Sequence, residues 1–318
     1  MIPTDDYVEF LDREYLGSYV GQGGAAVKFV VPADDDAAQS FSSALRDRAA
    51  AGGYATVRVD AADTRVHMMD QVFFEVARQV DWDALAADAV RRALAAAAYP
   101  MPEGSTDVAV DSVARHHDVD PLELTRDVNR QLQHAVYHDY AMVQEFRIAM
   151  LRLCQAQLRT GQVTDAEHAA LLEWLRGELR RITMLRSALI FRRIGRHNAR
   201  QLLFSLAHWL SVNNRTGLLV ELDLRRLGFA RRPSMEERRG QYYTKAALLD
   251  TYELLRQLVD NTDELAHCCV VAVGSPEFLS DTKRGVDAYQ ALKLRIYDEV
   301  RDRHRDNPYS SLVRLGSP

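Results

Sequence analysis

The chain has 318 residues, 47% of them hydrophobic and 27% charged, with a formal net charge of −5. That balance suits one large or two modest globular domains with a sizeable core. It excludes a surface that coats nucleic acid everywhere, though not a local basic face. The cysteines are Cys154, Cys268 and Cys269, the last two adjacent in an apolar run, which fits reduced, buried thiols rather than a disulfide framework.

The N-terminal stretch MIPTDDYVEF is acidic and lacks the apolar centre of a signal peptide. No apolar run reaches the roughly 18 residues of a membrane span, so a cytoplasmic protein without membrane contact is expected. Residues 5–20 read as a short amphipathic helix leading to Gly23-Gly24. Ala26, Val27, Phe29, Val30 and Val31 form the near-continuous apolar run of a strand covered on both faces. A helix follows from about Ala37 to the Gly52-Gly53 stop. Residues 54–59 alternate as a second strand closed by Asp60, and 66–94 read as one helical stretch.

The clearest internal linker is 100–107, and 108–181 carry helices with no convincing strand. Pro121, preceded by Asp118 and Asp120, marks one helix start, and Thr164 with Glu167 has the spacing of a capping box at another. The second half returns to alternation: a helix over 198–212, a buried strand over 217–222 ending at Asp223, and a charged loop over 225–240. After these come a helix over 244–259, an apolar strand over 268–273 closed by Gly274-Ser275-Pro276, a helix over 288–301 and a short strand at Leu312-Val313. Strands separated by helices predict an α/β fold with a three-layer, mostly parallel sheet. The expected division is two halves of the sheet domain, 1–100 and 191–318, around an α-helical insertion, 101–190.

The strand–turn–helix at 23–45 has the layout of a phosphate-binding loop. A working loop of the GxxxxGK[ST] type needs glycine amides around the phosphate, a lysine for the β/γ-phosphates and a hydroxyl for Mg²⁺. The turn here reads Pro32-Ala33-Asp34-Asp35-Asp36-Ala37-Ala38-Gln39-Ser40, with neither glycine nor lysine. Three aspartates at a helix N-terminus favour the helix through its dipole but repel an anion from the same place.

Several blocks make the chain recognisable. EYLGSYVGQGGAAVKFVV (14–31) resembles the entry to the P-loop domain of ATP-binding proteins of the BREX phage-defence type, and RIGRHNARQLLFSLAHWL (193–210) resembles the helix before their Walker B strand. GLLVELD (217–223) is similar to that strand, YELLRQLVDNTDEL (252–265) to the next helix, and VGSPEFLSDTKRGVDAYQALKLRI (273–296) to the sensor strand and its helix. The resemblance implies a P-loop NTPase-like (AAA+/RecA-like) sheet. It sets Asp35 at a glycine position, Ala38 near the lysine, and Gln39 near the Mg²⁺ hydroxyl. Asp223 becomes a Walker B remnant, followed by Leu224 where a catalytic glutamate is expected, and Ser275 is sensor-like. Arg284 falls where an oligomeric ATPase offers charge to a neighbour's phosphates, against pairing with Asp281 or Asp287.

Basic residues cluster at Arg192, Arg193, Arg196, Arg225, Arg226, Arg231 and Arg232. They are candidates for DNA phosphates or an acidic partner, against an ordinary solvated loop. His134 and His138 have a zinc-like helical spacing without the glutamate of HExxH and read as a plain pair, so no metal site is expected. Together these features imply a degenerate P-loop protein acting as scaffold or regulatory subunit beside an active ATPase, helicase or nuclease of the defence system. The alternatives are an ATP-hydrolysing protein with a non-standard site, and a DNA-binding module. No cofactor is expected unless the altered loop still takes ATP and Mg²⁺. Oligomerisation is open.

Overall fold

The computed structural model describes residues 1–102, 107–228, 240–297 and 306–316. Except for the two-residue strand at the N-terminus, its strands form where the sequence places apolar or alternating runs. In chain order the elements are β1 (Ile2–Pro3), α1 (Thr4–Phe10, continued by wide helical turns through Leu11–Val20), β2 (Ala25–Pro32), α2 (Asp35–Ala51) and β3 (Ala55–Asp60). Next come α3 (Met69–Arg78), α4 (Trp82–Ala96), α5 (Val110–His117), α6 (Pro121–Leu132), α7 (Gln144–Gln157), α8 (Asp165–Leu175) and α9 (Ala199–Val212). The last group is β4 (Leu218–Asp223), α10 (Lys245–Asp260), β5 (Cys268–Val273), α11 (Glu277–Ser280), α12 (Gln290–Ile296) and β6 (Leu312–Gly316). The stretch read as one helix over 66–94 is two, because Asp81 accepts the Ala84 amide and starts α4 afresh.

Six strands make one parallel sheet in the order β1-β6-β2-β5-β4-β3. The fold is a P-loop NTPase-like α/β fold. Strands β2, β4 and β5 are buried along their whole length, as expected for a parallel sheet covered on both faces. On one face Ala26, Val30, Leu219, Cys269, Val271 and Val273 pack with Phe41 and Leu45 of α2 and with Tyr7 and Leu11 of the N-terminal helix. On the other, Phe29 stacks on Phe278 with ring centroids 6.3 Å apart, and Phe278 meets Tyr252 of α10 edge-on at 5.8 Å. Cys154, Cys268 and Cys269 are buried free thiols; burial pushes those of Cys154 and Cys269 up to about 12.

The chain divides into two compact units: residues 1–76 with 210–318, which hold the sheet, and residues 77–209, which are helical. Within the helical unit α6 starts at Pro121 with Asp120 accepting the Leu122 and Glu123 amides, and Thr164 caps α8 through the Glu167 amide. Among the described residues no helix is long and apolar enough to cross a membrane.

Candidate functional site

The strand register brings charge to one place. Val30, Val273, Asp223 and Asp60 share a row near the carboxyl ends of β2, β5, β4 and β3, and Lys28, Val271, Glu221 and Arg58 form the row before it. Alternation puts both rows on the face that α2 covers. Charged residues inside otherwise apolar strands must find partners or neutralise, and three of them do so differently.

Lys28 is buried and donates to the carbonyls of Tyr309 at 2.9 Å and Ser310 at 3.2 Å, with its ammonium 4.1 Å from the centre of the Tyr15 ring. It therefore ties β2 to the segment that enters β6 and does not reach the β2–α2 turn. Glu221 is fully buried. Its nearest cations are Arg58 Nε at 3.4 Å and Arg46 Nε at 3.7 Å, and neither oxygen accepts a well-formed hydrogen bond among the described residues. Burial pushes its carboxyl up, only partly offset by the Ser42 hydroxyl and the two guanidiniums.

Asp223 is the best-held group. Arg58 Nη2 donates to its Oδ2 at 2.7 Å. Arg225 Nη2 donates to the same oxygen at 2.7 Å, while Arg225 Nε reaches Oδ1 at 3.0 Å and the Arg225 amide reaches Oδ1 at 3.2 Å. Burial alone would raise its carboxyl, but the bonds from Arg225 and Arg58 outweigh it and hold the group below the usual carboxylate range. The other end of Arg225 donates through Nη1 to Asp35 Oδ1 at 2.5 Å. One guanidinium thus bridges the first residue of α2 and the last residue of β4.

The turn between β2 and α2 is correspondingly short. Pro32 ends the strand, and Asp34 caps the helix by accepting the Ala37 amide at 2.8 Å. Asp35 is exposed apart from its pairing with Arg225, Ala38 is 1% exposed in the core under α2, and Gln39 faces solvent. In this turn the Ala37 amide is already capped, residues 32–40 hold no lysine, and both oxygens of Asp223 are engaged by arginine.

Beyond β4 the backbone is fixed by side chains. Arg284 donates to the carbonyls of Leu227 and Tyr243, and Arg226 to that of Gln241. The Asp281 carboxylate takes the amides of Lys283 and Arg284 rather than the Arg284 guanidinium. Tyr243 hydroxyl donates into the carbonyls of Ala61 and Thr64. Ser275 is half-buried beside Gly228, where a β-carbon would lie 2.9 Å from its Oγ. Arg231 and Arg232 lie outside the described residues. Arg192, Arg193 and Arg196 are exposed in the helical unit, and the Arg193 guanidinium meets the Arg180 carbonyl.

Asp223 and Asp35 stand singly in the sequence, and nothing local to either shows that Arg225 joins them. The interior charges Arg58 and Glu221 were a readable signal, since a charge within a buried strand implies a partner across the sheet. No curated protein matches the chain. With a parallel sheet of this order and its strand ends in view, the chain belongs to the family of BREX system ATP-binding proteins BrxC/D, whose family model matches residues 9–317.

Proposed function

We propose that this BREX-family chain is a non-hydrolysing scaffold or regulatory subunit of the phage-defence system, working beside an active ATPase, helicase or nuclease. Family membership supports a role in that system and partners from it. The observation that carries the finer reading is Arg225, which joins Asp35 to Asp223. In an active site those positions would face nucleotide phosphate and its Mg²⁺; here a side chain of the protein supplies the positive charge. The missing glycines and lysine of the turn point the same way.

The competing reading is an ATP-hydrolysing protein that uses Asp223 as its metal carboxylate, favoured by the ionised state in which that group is held. Calorimetric titration with ATP and with ADP, each with and without Mg²⁺, separates the two. The proposal expects no heat and no thermal shift at millimolar nucleotide. Micromolar binding, with hydrolysis that disappears in Asp223→Ala, would overturn it.

A further inference from the structure

The helical unit carries a segment whose charge is at odds with the rest of the chain. No aspartate or glutamate occurs between Glu178 and Glu221, and that stretch holds eight arginines, all but Arg215 within the helical unit, and no lysine. The whole chain is at −5, so the remainder is at −13. Little of the segment between α8 and α9 is regular, only a single helical turn at Ile182–Leu185. Buried Leu185, Ala188, Ile190 and Ile194 pin it to the unit. Trp174 Nε1 donates to the Arg192 carbonyl at 2.9 Å, and Asn198 Oδ1 accepts the Gly195 amide at 2.8 Å.

With the backbone held from inside, the remaining side chains face outward. Arg180, Arg181, Arg186, Arg192 and Arg196 are exposed, and among the described residues no carboxylate pairs with any of them. Between them stand Met184, 48% exposed, Leu189, 63%, and Phe191, 62%. Leu189 sits at φ +60°, in the left-handed region that a leucine rarely adopts. This turn keeps Ile190 in the core and Phe191 out of it.

We infer that this strap, Arg180 to Arg196, is a binding surface for single-stranded nucleic acid, with the arginines on phosphates and Phe191 stacked on a base. The charge decides the class of partner. Protein–protein interfaces also favour arginine, methionine and aromatic residues, but five exposed guanidiniums with no acid among them repel one another and match the repeated charge of a phosphate backbone. An exposed ring set among them suits an unpaired base, which offers its face as a duplex does not. The surface is independent of Arg225, whose guanidinium is committed inward, and of the nucleotide reading above.

The test is fluorescence anisotropy of the full chain with a labelled oligothymidylate of about 20 nucleotides, longer than the ~4–16 nucleotides such surfaces cover. The same sequence as a duplex and a polyglutamate competitor complete the set. Binding should weaken with salt, and the triple variant Arg186→Ala/Arg192→Ala/Arg196→Ala should lose about tenfold or more. Its log–log salt slope should fall by about 2, from roughly 0.7 per phosphate contact on a single strand. Phe191→Ala should weaken the single strand by about tenfold and leave the duplex unchanged, while Phe191→Tyr retains binding. All four substitutions are at exposed side chains, and an unchanged circular dichroism spectrum shows that the variants fold. No binding at low salt, an unaltered slope in the triple variant, or equal competition by polyglutamate would overturn the assignment. The last outcome would make an acidic protein the partner.

Discussion

Arg225 and Asp35 are 190 residues apart in the chain, yet their contact defines the end of the sheet. The Asp223 side chain is 5% exposed and that of Arg225 is 24%, so their pairing lies between the surface and buried regimes. Arg225→Ala leaves a nearly buried carboxylate with Arg58 alone. We expect a loss of about 1–3 kcal/mol in urea-induced unfolding, below the ~3–5 kcal/mol of fully buried pairs because solvent screens part of it. Asp223→Asn in the same background should recover part of the loss, and a double-mutant cycle measures the coupling. Equal losses from Arg225→Ala and from the exposed Arg13→Ala would show that the bridge contributes nothing. Ala38→Lys, which would return a lysine to the position that the resemblance assigns it, should not create nucleotide binding. Ala38 is packed under α2 with Phe41, so a lysine there is expected to cost about 2 kcal/mol or more through overpacking and a buried charge. Thermal melts with and without ATP check both halves of that statement.

At the scale of elements, α2 owes its start to Asp34. Replacing it by alanine removes the acceptor of the Ala37 amide and should destabilise the chain by about 1 kcal/mol, read as a shifted urea midpoint at constant m-value. The same element shows what sequence can and cannot disclose. The strands β2, β4 and β5 were legible because burial on both faces demands unbroken apolar runs, and the helix starts at Pro121 and Thr164 because capping is local chemistry. β1 escaped notice because two residues at a sheet edge, one of them a proline without an amide proton, carry no periodic signal. The break between α3 and α4 was hidden because Val76, Val80, Trp82 and Leu85 are all buried and the apolar pattern runs straight across it. The Arg225 bridge was hidden for another reason. A charged loop residue looks solvated until the register of β3, β4 and β5 and the start of α2 are known, and that register depends on pairings between distant segments.

At the scale of the whole molecule, acid should unfold the protein through several carboxylates of one kind, opposed among the described residues by Glu221, which is of the other. Bonds to Arg256 and Tyr289 hold Glu253 down to about 2, those to Arg295 and Arg256 lower Asp260, and Arg314 with the N-terminal ammonium lowers Asp306 against its burial. Asp223 is lowered by Arg225 and Arg58. A carboxylate whose folded value lies below its unfolded value contributes stability that is present above the unfolded value, near 4. That stability is lost as pH falls through the folded value. These groups therefore predict a stability plateau down to about pH 5 and a progressive loss from there towards pH 2. Glu221 has the opposite sign. Its folded value is raised by burial, so its contribution is fully present below the unfolded value and is lost as pH rises through the folded one. Glu221 therefore weakens the fold progressively as pH rises from its unfolded value through its raised folded one, and in acid it partly offsets the loss from the others. Glu221→Gln should thus raise stability at pH 7, and its advantage over the parent chain should shrink as pH falls towards 4. Urea unfolding at pH 7, 5.5 and 4 measures this directly. A glutamine variant that is destabilised equally at all three would mean that Arg46 and Arg58 compensate the buried charge fully, and that the carboxylate in the middle of β4 is a structural ion pair.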